Sequence, residues 1–116
     1  MSCATARHPA VSKGSVHQIG FVWLKKAGNP IDQQKIINAV HDFGRKIPEV
    51  KDVAVGKSDG IGGPFSDTSY DVSFILTFES DAARLRYNEH PVHQQAAKDV
   101  FLPLSRKLLF YRFVGE

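Results

Sequence analysis

The sequence predicts an α+β fold with the element order βαββαβ, and three observations carry that reading. Segments from Val16 to Lys26 and from Tyr70 to Glu79 alternate at a period of two, the period of a strand. The stretch from Pro30 to Lys46 instead repeats Ile36, Ile37, Val40 and Phe43 at helical spacing. A chain of 116 residues, 42% hydrophobic and 23% charged, fits one globular domain around one core and not a disordered chain.

Met1 to Ser15 has no periodicity and contains Pro, Gly and Ser, so it reads as a mobile leader, with the domain proper spanning 16–116. In the first strand His17, Ile19, Phe21 and Trp23 share one face while Val22 and Leu24 share the other, which describes a strand covered on both sides. Gly28-Asn29-Pro30 breaks it, because Asn29 suits a helix cap and Pro30 the first helical position. Gly44 and Pro48 mark the end region of that helix. Val50 to Lys57 is the second strand, with Val53 and Val55 on one face.

The loop Ser58 to Asp67 contains Gly60-Ile61-Gly62-Gly63-Pro64, which lacks the Lys-Ser/Thr ending of a phosphate-binding loop and opens no helix; it reads as a plain connection. In the third strand Tyr70, Val72, Phe74, Leu76 and Phe78 form a wholly apolar face, which puts Phe74 and Phe78 in the core. Ser80 caps a helix running to about Glu89, with Asp81 favourably placed in its first turn. Pro91 pushes His90 out of helical geometry, so a further helix starts at Pro91 and runs to about Leu102, where Pro103 ends it. Leu104 to Val114 is the last strand, with Leu109, Tyr111 and Phe113 on one face and Leu108 and Phe110 on the other.

Composition narrows the partners. No apolar run approaches the ~20 residues that cross a bilayer, so no membrane association and a cytoplasmic location are expected. The single cysteine, Cys3, supports neither an intrachain disulfide framework nor a cysteine metal cage. A net charge of +3 comes from 15 basic residues interspersed with 12 acidic ones, with no basic run longer than a pair such as Lys25-Lys26, which is a solvated mixed-charge surface and not a nucleic-acid footprint. His90 and His93 have H-x-x-H spacing, but Pro91 interrupts the helix between them and no carboxylate or cysteine completes a metal site.

The strands carry large apolar residues on both faces, whereas two helical layers cover only one face of a four-stranded sheet. The second face therefore calls for a partner, and an identical subunit across a twofold axis is the commonest solution, so a homodimer is expected. Several segments are recognisable in order and spacing: His17-Gln18-Ile19-Gly20-Phe21-Val22-Trp23-Leu24-Lys25, Ile47-Pro48-Glu49-Val50, Ser69 to Phe78, and Tyr87-Asn88-Glu89-His90-Pro91-Val92-His93. Over about Val16 to Val114 they resemble the stress-responsive dimeric α/β-barrel (Dabb) family, the Tyr-x-x-His-Pro-x-His segment being the most specific. The resemblance implies a ferredoxin-like fold whose four-stranded antiparallel sheets join in a dimeric α+β barrel, with a cavity between sheet and helices in each subunit.

At the site the chain is similar to olivetolic acid cyclase, a member class that closes a linear polyketide acid by aldol condensation. That similarity implies catalytic roles for Tyr87 and His93 and matches the strand-opening histidine to His17; a further third-strand histidine of the cyclase is replaced by Val72, which removes part of the polar lining. Independently of the family, His93 is the third residue of a helix opening at Pro91, where the dipole disfavours imidazolium and leaves a neutral base. Tyr87 could then hydrogen-bond a carbonyl oxygen while His93 removes an α-proton. The competing reading makes both residues fasteners of the helix junction. His17 is either a buried, satisfied histidine or the polar end of a pocket, and Trp23 is core or interface.

The expected ligand pocket comprises His17, Ile19, Phe21, Val72, Phe74 and His90 beside Tyr87 and His93. The function expected from these features is a homodimeric binding or stress-associated protein with a small apolar pocket, or a cofactor-independent enzyme acting on a carbonyl compound. A cofactor-free monooxygenase shares this general fold, but no residue set singles it out. Neither a metal nor a cofactor is called for.

Overall fold

The computed structural model describes residues 13–116. Strands β1 (Val16–Leu24), β2 (Val50–Lys57), β3 (Val72–Phe78) and β4 (Ser105–Val114) form one sheet in the order β2-β3-β1-β4, antiparallel throughout. Helix α1 (Pro30–Lys46) crosses from β1 to β2, and α2 (Asp81–Glu89) and α3 (Pro91–Ala96) lead from β3 towards β4. This is the ferredoxin-like arrangement, a four-stranded antiparallel sheet with its helices on one side.

Local chemistry sets the helix ends. Asn29 Oδ1 accepts the Asp32 N–H at 2.9 Å and Pro30 opens α1, whose buried stripe is Ile36, Val40 and Phe43. Ser80 Oγ accepts the Ala83 N–H at 3.1 Å to start α2. The turn between β1 and α1 is tied down by Asp71, whose carboxylate accepts the Leu24 and Gly28 N–H groups at 3.0 and 2.6 Å. That anchoring ends β1 at Leu24 and leaves Lys25 and Lys26 exposed, two residues short of the expected strand end. Gly14 and Ser15 extend the sheet through backbone bonds with Gly115; residues 1–12 of the expected leader lie outside the described residues.

The final helix departs from the sequence reading. After α3 the chain makes a π-helical turn (Ala97–Phe101) and then a last helical turn, α4 (Leu102–Leu104). Pro103 therefore does not end a helix at Leu102. It sits in the first turn of α4, a position that tolerates proline.

The pleat of β1 divides the molecule. Val16, Val22 and Leu24 join the core under the helices with Phe43, Leu76 and Phe78. Alternation sends His17, Ile19, Phe21 and Trp23 to the other face, together with Ile75, Tyr111 and Phe113, which are 41%, 57% and 54% exposed. On that open face Phe21 meets Tyr70 edge-on at 5.2 Å and Lys107 lies 4.6 Å over the Trp23 ring. On the helix face, Gly20 stands opposite Phe74 and Phe110. A methyl group at position 20 would lie 2.5 Å from Cζ of Phe74, so only glycine lets that ring lie across the central strand.

Phe78 is fully buried, with its ring 4.9 Å from that of Tyr87. Phe78→Ala is expected to cost roughly 3–5 kcal/mol of stability. Urea unfolding of the two proteins measures the difference, and a loss below ~1 kcal/mol would contradict this account of the core.

Candidate functional site

A cavity of about 330 Å³ lies between the helix-facing side of the sheet and the helices. Gln18 of β1, Phe74 of β3, and Leu108, Phe110 and Arg112 of β4 form its sheet side. Phe43 of α1, Arg84, Tyr87 and Asn88 of α2, and His93 of α3 close the helical side, with Phe101 and Leu102 beyond. Arg84, Tyr87 and Asn88 fall on one face because residues three and four apart on a helix are neighbours.

Tyr87 and His93 meet within this wall, their ring centroids 4.5 Å apart, and Phe43 lies 5.6 Å from each. His93 Nδ1 is 3.1 Å from the Asn88 carbonyl oxygen. A carbonyl can only accept, so Nδ1 carries the proton and the neutral ring keeps an unprotonated Nε2. Burial pushes the His93 pKa below the ordinary histidine value, against the opposing pull of the Asn88 hydrogen bond. Desolvation thus favours the neutral ring. Burial alone raises the Tyr87 pKa well above that of a free phenol, so its hydroxyl stays protonated and able to donate.

Of the expected pocket residues, Tyr87, His93 and Phe74 share the cavity. His17, Ile19 and Phe21 do not, because the pleat of β1 turns them to the open face of the sheet. His17 there places Nδ1 3.0 Å from Thr77 Oγ1 and stacks on Phe113 at 4.7 Å, while its buried Nε2 lacks a partner among the described residues. Val72 is fully buried in the core but forms no part of the cavity wall. His90 also lies outside it: its Nδ1 accepts the Val92 N–H at 3.1 Å and caps α3, so the histidine is spent on the helix start. The strand residue that does reach the cavity is Gln18, one place after His17 and 8% exposed. Its signal was a single polar side chain in register with Val16, Val22 and Leu24. Arg84, Asn88 and Arg112 are further wall residues that the sequence reading missed.

Among the described residues no group of three His, Cys, Asp or Glu side chains is placed to hold a metal ion. No described helix is long and apolar enough to cross a membrane.

Fold and cavity together define a small ferredoxin-like domain with a roofed pocket on one face of its sheet and a bare apolar surface on the other. The chain belongs to the stress-responsive A/B barrel domain (Dabb) family, whose model matches residues 16–114. Solved structures agree on the fold. A Dabb family protein from Mesorhizobium loti with a ferredoxin-like fold is 24% identical, with a TM-score of 0.73 over 90% of this chain and 99% of its own. Hydroxynitrile lyase from Passiflora edulis is 21% identical, with a TM-score of 0.75 over 90% of this chain and 96% of that one. A dimeric ferredoxin-like protein of unknown function from Thermobifida fusca is 20% identical, with a TM-score of 0.71 over 86% and 90%. No curated protein matches the chain.

The depressed His93 pKa has a defined effect on stability. The unfolded chain takes up a proton near the ordinary value of ~6.5, whereas the folded protein does so only at lower pH. The unfolded state is therefore favoured as pH falls from about 6.5 through the folded value, and the lost stability is regained on returning to neutrality. His93→Gln should flatten urea-measured stability between about pH 7 and 5 relative to the parent. Identical slopes would show that His93 is not held neutral.

Proposed function

We propose that the protein works as a homodimer, each subunit admitting one small, largely apolar ligand into the cavity between sheet and helices. The observation that carries this reading is the meeting of Tyr87 and His93 in one wall of a cavity otherwise lined mainly by aromatic and aliphatic side chains. The bare sheet face supports the dimer: Ile19, Phe21, Ile75, Tyr111 and Phe113 offer a flat apolar surface of the kind that pairs across a twofold axis. The dimeric Thermobifida fusca neighbour supports it as well. A cytoplasmic location belongs to this reading, since one cysteine gives no disulfide framework suited to an oxidising compartment.

A catalytic reading is favoured by one further observation, the tautomer of His93. With Nδ1–H donated to Asn88, the unprotonated Nε2 can take an α-proton from a carbonyl compound, forming imidazolium as the substrate becomes an enolate. Tyr87, neutral throughout, would donate its O–H to the oxygen on which that charge develops. As the enolate collapses the imidazolium proton returns to carbon, or that carbon adds to a second carbonyl group, whose C=O π bond opens to an alkoxide that takes the imidazolium proton. The hydroxynitrile lyase neighbour supports the view that this fold can hold an active site.

Dimerisation is checked by sedimentation equilibrium at micromolar concentration, where a mass of twice the chain is expected from an interface above ~1,200 Å². Ile19→Asp should return the monomer, because a carboxylate would be buried unpaired at that face. A parent that sediments as a monomer would refute the arrangement. Base catalysis is checked by deuterium uptake at the methyl group of acetophenone in D₂O. The parent should exceed His93→Ala by on the order of 10²-fold or more, and Tyr87→Phe should fall between them. Uptake at the buffer rate in the parent would remove the catalytic reading.

A further inference from the structure

We propose that the ligand of this cavity is an apolar carboxylic acid, its carboxylate held by Arg84 and Arg112; the inference rests on the ligand-pocket reading above. Arg84 precedes Tyr87 by one helical turn on α2, and its side chain is only 12% exposed. Its Nε donates to the Asp81 carboxylate at 2.7 Å, which fixes the guanidinium and leaves the four N–H donors of its outer nitrogens without a partner among the described residues. Arg112 reaches the same cavity from β4, opposite Gln18 in the sheet register. It makes no hydrogen bond or ion pair with a described residue, although its charge is felt by Asp81.

The wall contains no Asp or Glu. Two guanidinium groups thus face the single carboxylate of Asp81, which leaves one positive charge, and of the three side chains Arg84 is the largely buried one while Asp81 and Arg112 are exposed. That count matches a monoanion and falls short of a phosphate dianion. Guanidinium forks also fit the planar, two-oxygen geometry of a carboxylate, with the Gln18 amide as a further donor in the same wall. The remainder of the cavity, including Phe43, Phe74, Phe101, Leu108 and Phe110, suits a hydrocarbon or aryl body and nothing charged. An acid anchored at the arginines places its apolar part among these rings, beside Tyr87 and His93.

The test is isothermal titration of the full chain at pH 7 with octanoate, octan-1-ol and octyl phosphate. Octanoate should bind roughly tenfold or more tightly than octan-1-ol, and more tightly than octyl phosphate. Arg112→Gln should reduce the preference for octanoate over octan-1-ol to below about twofold, and Arg84→Gln should do the same. If Arg84→Gln fails to fold because Asp81 loses its partner, Arg112→Gln decides alone, since the Arg112 side chain makes no hydrogen bond or ion pair with another described residue. Equal affinity for octanoate and octan-1-ol would overturn the carboxylate inference and leave the apolar pocket standing. Tightest binding of octyl phosphate would overturn it by showing a dianion site. Binding of none of the probes would overturn both the inference and the pocket reading beneath it.

Discussion

Helices cover one face of the sheet and leave the other bare, and the pleat of β1 decides which residues belong to each. The strand is central, paired to β3 on one side and β4 on the other, so its alternation fixes both neighbours as well. Even-numbered positions from Val16 to Leu24 serve the core and the cavity, and odd-numbered positions from His17 to Trp23 serve the open face. A slip of one residue would exchange the two roles everywhere in the sheet. Gly20 is the point where the two demands meet: the strand there carries no side chain, and the space is taken by Phe74.

The cavity is a by-product of aromatic packing as much as a site within it. Tyr87 and Phe101 each pack on Phe43 of α1, the rings of Phe43 and Phe101 stacking at 5.9 Å. Tyr87 is therefore both core and wall, 2% exposed with its ring against Phe43, Phe78 and His93. Burial of this kind gives the acid–base pair its electrical character, raising the phenol and lowering the imidazole pKa, so neither is charged near neutrality. The charge in the cavity comes from arginine instead.

Most of the fold was legible in the sequence, because its signals are local. Asn29-Pro30, Ser80 and His90-Pro91 act over a few residues, and each starts a helix where the residue types demand one. The proximity of Tyr87 and His93 was also local, spanning a single helix junction. What could not be read was which of two apolar strand faces looks under the helices. His17, Ile19 and Phe21 were as plausible for the cavity as Gln18, and only the tertiary arrangement separates them. Arg84 and Arg112 read as ordinary surface charges, since nothing in the order of residues brings the middle of α2 over the far end of β4. Pro103 misled for another reason: proline is tolerated in the first turn of a helical segment, and here it falls in the first turn of α4.

That new turn follows the π-helical segment Ala97–Phe101, which holds one residue more than an α-helical turn of the same pitch. Every side chain after it is rotated about 100° from where an uninterrupted helix would carry it. Phe101 is turned inward by this geometry onto Phe43 and Phe74, and Leu102 is brought to the cavity edge. Deleting one residue here would restore the regular spiral and swing both away without altering any sheet residue. Chain length at this turn is thus a dial for the cavity's shape.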